Sequence, residues 1–193
     1  IIEFCAASPK FQHHFHIPLQ SGSDHILGLM RRRYTSSRFA DRIEKIRSLM
    51  PDAFIGIDVI TGFPGETEED FQQTYDLLAR LKPSFLHIFP FSERPNTPAV
   101  DMPNKVPASV STARAARLDE LCRELHSEFC QRMVGSEAEV LFESTMRGGM
   151  MTGFTSNYLK IKVPYDKRYI NQIVKVRLVD IEPNADILGE IVE

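Results

Sequence analysis

Short apolar runs alternate with amphipathic stretches over the first two thirds of the chain. Apolar residues dominate segments 15–19, 53–60 and 85–89, and a stretch with apolar residues at helical spacing follows each of them. Continuous apolar runs of this length indicate strands buried on both faces, and their alternation with helices is typical of a parallel sheet made of βα units. The longest amphipathic stretch predicts a helix over residues 109–133.

Capping residues support two of these helices. Ser23 is a good N-cap, and Asp24 suits the positive first turn of the helix that follows it. Thr67, with Asp70 three residues later, predicts a capping box at the start of another helix.

The pattern changes to a period of two after Gly135. Val140 and Phe142 alternate with glutamates, and the same alternation, with lysines and an arginine, recurs in segments 159–163 and 174–178. Four or five short strands within residues 135–193 predict a small antiparallel β-barrel. The sequence therefore predicts an α/β fold with two domains, a partial (β/α) barrel over residues 1–134 and a β-barrel over residues 135–193.

Composition narrows the class of protein. The 193 residues are 42% hydrophobic with a net charge of −3, and no segment has the length and apolarity of a membrane span or the pattern of a signal peptide. We therefore expect a cytoplasmic protein that does not bind membranes. The three cysteines (Cys5, Cys122 and Cys130) have no metal-ligand spacing and read as reduced core thiols. The apolar start at Ile1 reads as a helix already under way, which suggests a fragment.

Polar groups gather where the predicted strands end. Segments 20–24, 58–66 and 91–97 contain an amide, hydroxyls and a carboxylate, and the carboxyl ends of parallel strands are where ligands bind. Such groups suit a polyhydroxylated ligand such as ribose. Asp58, inside an apolar strand, is either a ligand-binding carboxylate or a structural one with a local partner. The arginines of segment 31–33 either meet phosphate or form a solvated face.

The histidines in the predicted strands are either ligands of a bound group or hydrogen-bonded core residues. His14, His16 and His87 lie in or beside strands, where histidines are more often hydrogen-bonded core residues than ligands.

Taken together, several motifs resemble the second half of the radical S-adenosylmethionine methylthiotransferases. They are segments 16–24 (HIPLQSGSD), 30–35 (MRRRYT), 58–67 (DVITGFPGET) and 91–99 (FSERPNTPA), in family order and spacing. Segment 153–160 (GFTSNYLK) resembles the TRAM domain that ends these enzymes. The resemblance therefore covers essentially the whole chain.

Within that family, segments 30–35 and 86–92 (LHIFPFS) are most similar to the branch that adds a methylthio group to C2 of N6-threonylcarbamoyladenosine at position 37 of tRNA. The branches that act on isopentenyladenosine in tRNA, or on an aspartate of a ribosomal protein, are less similar. A non-catalytic RNA-binding module is a further alternative.

The resemblance implies S-adenosylmethionine and two [4Fe-4S] clusters as cofactors of the full-length enzyme. No C-x3-C-x2-C motif occurs in this sequence. We therefore expect that this chain holds no cluster, provides no catalytic residue or metal ligand, and is inactive without the amino-terminal half of the enzyme. The residues that the resemblance implies as cofactor contacts are Gln20, Ser21, Ser23, Arg32, Asp58, Gly62, Phe63 and Phe91.

TRAM domains bind RNA, so the resemblance implies tRNA as a partner. From Gly135 onward the chain has seven Lys and Arg against nine Asp and Glu, a net of −2, so any basic patch must be local. A solvated face of lysines is the alternative reading. The predicted RNA contacts are Thr155, Asn157, Tyr158, Lys160, Lys162, Lys167 and Arg168. The open edge of the βα sheet is a further candidate for association with another chain.

Overall fold

The computed structural model describes residues 1–192. Contacts divide the chain into two compact units. Residues 15–51 and 55–125 form one, called here the βα unit, and residues 1–14, 52–54 and those from His126 onward form the other, called the barrel unit. The barrel unit is made of three separate stretches of chain, so the division does not fall at a single point. The predicted boundary between residues 134 and 135 stays a prediction.

The sheet of the βα unit has three strands in the order β1-β2-β3. They are β1 (His14–Gln20), β2 (Phe54–Thr61) and β3 (Phe85–Pro90). β2 and β3 pair in parallel, with Asp58 opposite His87. The predicted strands are confirmed to within one residue at each end, because uninterrupted apolar runs mark buried strands clearly.

Helices follow the strands as the amphipathic pattern predicts. They are α1 (Ile2–Ala7), α2 (Asp24–Leu29), α3 (Ser36–Leu49), α4 (Glu68–Leu81) and α5 (Ala108–Met133). The Ser23 hydroxyl accepts a hydrogen bond from the Ile26 N–H at the start of α2. Thr67 and Asp70 form the complete capping box of α4, so both predicted caps are confirmed.

The barrel unit contains a closed five-stranded β-barrel in the order β4-β5-β6-β8-β7. Its strands are β4 (Glu137–Arg147), β5 (Met150–Thr155), β6 (Lys160–Pro164), β7 (Ile173–Ile181) and β8 (Ile187–Ile191). The inward positions are fully buried, including Val140, Phe142 and Val176. The period-two pattern therefore identified the barrel core correctly.

One strand pair corrects the prediction of an antiparallel barrel. β6 and β8 pair in parallel, whereas the other four pairs are antiparallel. A closed ring with an odd number of strands cannot alternate direction throughout, so one parallel pair is required.

All three cysteines are buried and free. The Cys122 thiol contacts the backbone of Leu86 in the βα unit, and the Cys130 thiol contacts the carbonyl oxygen of Ala185 in the barrel unit. Burial raises the pKa of the Cys130 thiol to about 11 and raises that of Cys122 as well. Among residues 1–192, no helix has both the length and the apolar character needed to cross a membrane.

Candidate functional site

The loop after β1 is fixed by buried side-chain contacts. Ser21 and Ser23 are fully buried, and the Ser23 hydroxyl donates a hydrogen bond of 2.5 Å to the carboxylate of Asp70. The Ser21 hydroxyl lies 3.3 Å from that of Thr74. Both serines, predicted to contact the cofactor, thus direct their hydroxyls to α4, while Gln20 at the strand end has a left-handed backbone with φ of 72°.

Groups from two segments of the chain, residues 23–25 and Thr67, form hydrogen bonds with the Asp70 carboxylate. The backbone N–H and the hydroxyl of Thr67 donate to one carboxylate oxygen at 3.0 and 2.9 Å, and the His25 ring nitrogen lies 3.1 Å from the same oxygen. Burial opposes ionisation of Asp70, but the hydrogen bonds from Ser23 and Thr67 outweigh it and lower the pKa of this carboxyl. Asp70 therefore holds the loop after β1 against the start of α4.

The turn after β2 is held by a buried ion pair. The Gly62 N–H donates to the carboxylate of Glu66 at 2.7 Å, and Arg114 of α5 contacts the same oxygen at 2.7 Å. The side chains of Arg114 and Glu66 are 7% and 1% exposed. Burial raises the pKa of Glu66 despite these two donors. The pair positions the backbone of the turn beside the strand ends.

Gly62 is required at this turn for two reasons. Its φ of 78° lies in the left-handed region, and an added Cβ would stand 2.5 Å from both the Cβ and the Oγ of Ser111. The Ser111 hydroxyl donates to the carbonyl oxygen of Thr61 at 2.8 Å, so Ser111 has little freedom to move. Gly62 thus has a structural role in addition to any contact with a ligand.

A cavity of about 680 Å³ opens beside this turn in the βα unit. Two predicted cofactor residues, Arg32 and Phe63, line it, and the rings of Phe63 and Phe91 meet edge to face at 5.2 Å. Its other lining residues are Gly28, Leu29, Met30, Arg31, Ile60, Thr97, Pro98, Ala99, Asp101, Met102 and Pro103. The volume lies within the range of small-molecule and cofactor pockets.

A second polar group lies on the sheet itself. The side chains of His16 on β1, Asp58 on β2 and His87 on β3 place one nitrogen or carboxylate oxygen each within 4.8 Å of one another. The His16 Nε2 and the Asp58 carboxylate are joined by a hydrogen bond. Partial burial lowers the pKa of His87, the nearby His16 lowers it further, and Asp58 raises it. Among the described residues, this is the one group of three potential metal ligands.

In the barrel unit, two of the predicted RNA contacts are buried. The Thr155 hydroxyl donates to the side-chain oxygen of Asn157 at 2.6 Å, and the Asn157 amide donates to the carbonyl oxygen of Asp52 at 2.8 Å. Tyr158 is about half exposed, and its ring stacks with those of His14 and Phe154 at centroid distances of 4.5 and 5.0 Å. These contacts give each residue a structural role.

The predicted basic contacts differ in their partners. Lys160 and Lys162 lie 3.2 and 2.8 Å from the carboxylate of Asp186, and Arg168 pairs with Asp166 at 2.6 Å. Lys167 is exposed and forms no ion pair within residues 1–192. Intramolecular carboxylates therefore partly neutralise three of the four cations.

A shallow groove of about 330 Å³ carries the two lysines. Its lining residues are Thr145, Arg147, Met150, Thr152, Lys160, Lys162, Glu182, Asn184 and Asp186. Arg147 is exposed and has no carboxylate partner within residues 1–192, so it is the free cation of this groove. Arg147 was not among the predicted RNA contacts, although it ends strand β4 beside the Gly148–Gly149 turn.

Arg114 and Asp70 were also missed as site residues. Both act through buried contacts with the loops, and α5 approaches the turn after β2 only in the folded chain. A capping box identified Asp70 as a helix residue, but its contact with Ser23, 47 positions earlier, had no signal in the sequence.

The three cysteines do not fit a cluster site. All three are buried, and the thiols of Cys122 and Cys130 contact backbone atoms and have a raised pKa, whereas a cluster ligand is a thiolate. The cavity lined by Arg32 and Phe63 has the volume of a cofactor pocket, and its lining includes the polar residues Arg31, Thr97 and Asp101.

Comparisons with known proteins agree with the fold. Residues 2–78 match the model of the Radical SAM superfamily, and residues 131–192 match that of the TRAM domain. The fold is similar to the solved structure of coproporphyrinogen III oxidase (HemN) from Escherichia coli, a Radical SAM enzyme, with a TM-score of 0.52 and 12% identity over 95% of this chain and 46% of that chain.

Two curated relatives are similar along nearly the whole chain. Threonylcarbamoyladenosine tRNA methylthiotransferase MtaB of Bacillus subtilis is 40% identical over 93% of this chain and 41% of its own length. A tRNA-2-methylthio-N(6)-dimethylallyladenosine synthase of Francisella tularensis subsp. novicida is 36% identical over 100% of this chain and 44% of its own length. The chain thus spans less than half the length of these relatives. Residues 2–78 thus match the Radical SAM superfamily and residues 131–192 match the TRAM domain, as the motifs of the chain predicted.

Proposed function

We propose that this chain is the carboxyl-terminal part of a tRNA methylthiotransferase that acts at C2 of N6-threonylcarbamoyladenosine at position 37. The observation that carries the proposal is the combination of a Radical SAM segment and a TRAM domain in one chain that is 40% identical to a threonylcarbamoyladenosine tRNA methylthiotransferase. Because the chain spans 41% of that relative, the activity is proposed for the longer protein.

The βα unit would contribute the cofactor wall. S-adenosylmethionine, with its cluster, supplies the radical that activates the C–H bond, and a second S-adenosylmethionine supplies the methyl group. In this chain, Arg32 and Phe63 line the cavity that would receive a cofactor, and the Glu66–Arg114 pair fixes the adjacent turn. Gln20, Ser21, Ser23, Asp58, Gly62 and Phe91 remain proposed contacts or supports of that wall. The chain alone would be inactive, since its thiols do not fit a cluster.

Mass spectrometry of tRNA nucleosides tests the proposal directly. In a strain that lacks the gene for this chain, we expect the 2-methylthio mark on N6-threonylcarbamoyladenosine to disappear and the unmodified precursor to accumulate. Reintroducing the gene should restore the mark. An intact mark would refute the proposal.

The same experiment separates the alternatives. The relative that makes the dimethylallyladenosine derivative is 36% identical over the whole chain, so that branch is the second candidate. Loss of the methylthio mark from dimethylallyladenosine, with threonylcarbamoyladenosine unaffected, would favour it. Mass spectrometry of the ribosomal proteins from the same strain tests the third branch, in which an aspartate would lose the mark. No change in any of these marks would favour the non-catalytic RNA-binding module.

Binding of tRNA by the barrel unit should depend most on the cations without carboxylate partners. We expect Arg147→Gln and Lys167→Gln each to weaken tRNA binding severalfold and to lower the slope of log K against log salt by about 1. Lys162→Gln should have a smaller effect because Asp186 and Glu182 already pair with Lys162. Fluorescence anisotropy over a salt series measures both quantities.

The neutral substitution is preferred to charge reversal at Lys160 and Lys162. A glutamate there would stand beside Asp186, which is 10% exposed, and would disturb the barrel as well as the RNA contact. Glu139→Gln serves as a control of the opposite charge, with tRNA binding unchanged or strengthened. Equal losses for Lys162→Gln and Arg147→Gln would contradict the role given to the intramolecular pairs.

A further inference from the structure

We propose that His16, Asp58 and His87 form a binding site for a divalent transition-metal ion, separate from any iron–sulfur cluster. The site goes beyond the proposed methylthio transfer and does not depend on it. It is made by three adjacent strands of the βα unit, with one ligand from each.

The sheet brings the three side chains to one place. β1, β2 and β3 are neighbours in that order, and Asp58 and His87 are directly opposite in the parallel register. Residues opposite each other on adjacent strands point to the same face of a sheet. The ring centroids of His16 and His87 are 4.6 Å apart, so the two imidazoles converge on the carboxylate of the middle strand.

Within the described residues, the Asp58 carboxylate lies beside no lysine or arginine that would balance its negative charge. Its side chain is 21% exposed, and His16 is its hydrogen-bond partner. Within residues 1–192, no lysine or arginine forms an ion pair with Asp58. A partly buried carboxylate is normally paired with a positive group or coordinates a metal. A metal ion bound here would supply that charge.

A hydrogen-bonded pair alone does not account for the third residue. His16 and Asp58 satisfy each other, but His87 forms no side-chain hydrogen bond within the described part of the chain, and its ring packs against the rings of His16 and Phe85. Its ligand nitrogen nevertheless lies within 4.8 Å of the ligand atoms of both partners. Coordination of one ion by all three residues gives this nitrogen a role.

The donor set indicates which ions would bind. Imidazole nitrogen suits Zn²⁺, Co²⁺, Ni²⁺ and Fe²⁺, and two histidines with one carboxylate are a known set for such ions. Ligand bonds of about 2.0–2.2 Å place donors of one ion roughly 3.5 Å apart, so a separation of up to 4.8 Å closes with small side-chain movements. Three protein ligands leave positions for water or for an oxygen ligand from solution.

Metal titration of the tag-free 193-residue chain tests the site. After chelator treatment and dialysis, Zn²⁺ is titrated by calorimetry and Co²⁺ by visible absorption, without S-adenosylmethionine because Asp58 is also a proposed cofactor contact. We expect one ion per chain, with no sulfur-to-cobalt charge-transfer band. Asp58→Asn and His87→Ala should each weaken binding by about tenfold or more.

His13→Gln is the matched control, because His13 precedes β1 and lies outside the proposed ligand set; it should leave binding unchanged. Paramagnetic broadening by Co²⁺ of the histidine ring signals in the unsubstituted chain gives a readout that needs no variant. The signals of His16 and His87 should broaden first. Absence of saturable binding, or equal binding by the Asp58→Asn/His87→Ala double variant, would overturn the site without bearing on the proposed enzyme function.

Discussion

Replacing Arg114 with methionine should lower the free energy of unfolding of the chain by about 3–5 kcal/mol. The Glu66 carboxylate, 1% exposed, would keep the Gly62 N–H but lose the guanidinium 2.7 Å away. An uncompensated buried charge is costly, and methionine restores the volume but not the charge. Urea unfolding followed by circular dichroism measures the change.

Arg117→Met is the matched control. Arg117 is 43% exposed and pairs with Glu68 at 2.7 Å, so its loss should cost less than about 1 kcal/mol. Adding Glu66→Gln to Arg114→Met should recover part of the stability, since the buried charge is then gone. A similar loss for both arginines would contradict the importance of burial.

The effect of Arg114→Met should depend on pH. Burial already raises the pKa of Glu66, and removing Arg114 raises it further. A folded-state pKa above the unfolded value means that the folded state binds more protons, so stability rises as pH falls towards the unfolded pKa. The deficit of the variant should therefore shrink in mild acid, and a deficit independent of pH would indicate lost packing instead.

Replacing Asp70 with alanine should lower the free energy of unfolding by about 2–4 kcal/mol. The change removes the reciprocal half of the capping box of α4 and leaves the buried Ser23 hydroxyl without its acceptor at 2.5 Å. A lost cap costs about 1 kcal/mol, and a hydrogen bond to a charged group about 1.5–3 kcal/mol. Thermal and urea unfolding measure the loss.

Glu69→Ala is the control for Asp70→Ala, because Glu69 is exposed in the same helical turn and should change stability by less than about 0.5 kcal/mol. The pKa of Asp70 is lowered by its hydrogen bonds. Its contribution is therefore fully present above the unfolded pKa and disappears as pH falls through the folded pKa. Asp70→Asn should lack this acid-dependent part; an unchanged acid limb would argue against it.

The order and type of the secondary-structure elements followed from local patterns. Strand β2 is apolar nearly throughout because both its faces are buried, and the barrel strands alternate because one face is solvated. Both helix caps were readable since a cap is formed by residues within four positions of one another. The parallel β6–β8 pair was not readable, because strand direction depends on how the ring closes.

The candidate site could be predicted only in part. The motifs indicated Arg32 and Phe63, which line one cavity, and also Ser21 and Ser23, whose hydroxyls contact α4. A motif records which residue types occur at a strand end but not which way each side chain turns. Direction depends on packing against elements that are distant in sequence.

The sequence by itself determined the two kinds of architecture, the motifs of the Radical SAM and TRAM segments and the polar segments at the strand ends, because periodicity, caps and motifs are local properties of the chain. Only the tertiary structure decided which charges are paired. Arg114 and Glu66 are 48 residues apart, and His16, Asp58 and His87 come from three strands. Such pairings arise when the sheet and α5 bring distant segments together, and no local pattern encodes that distance.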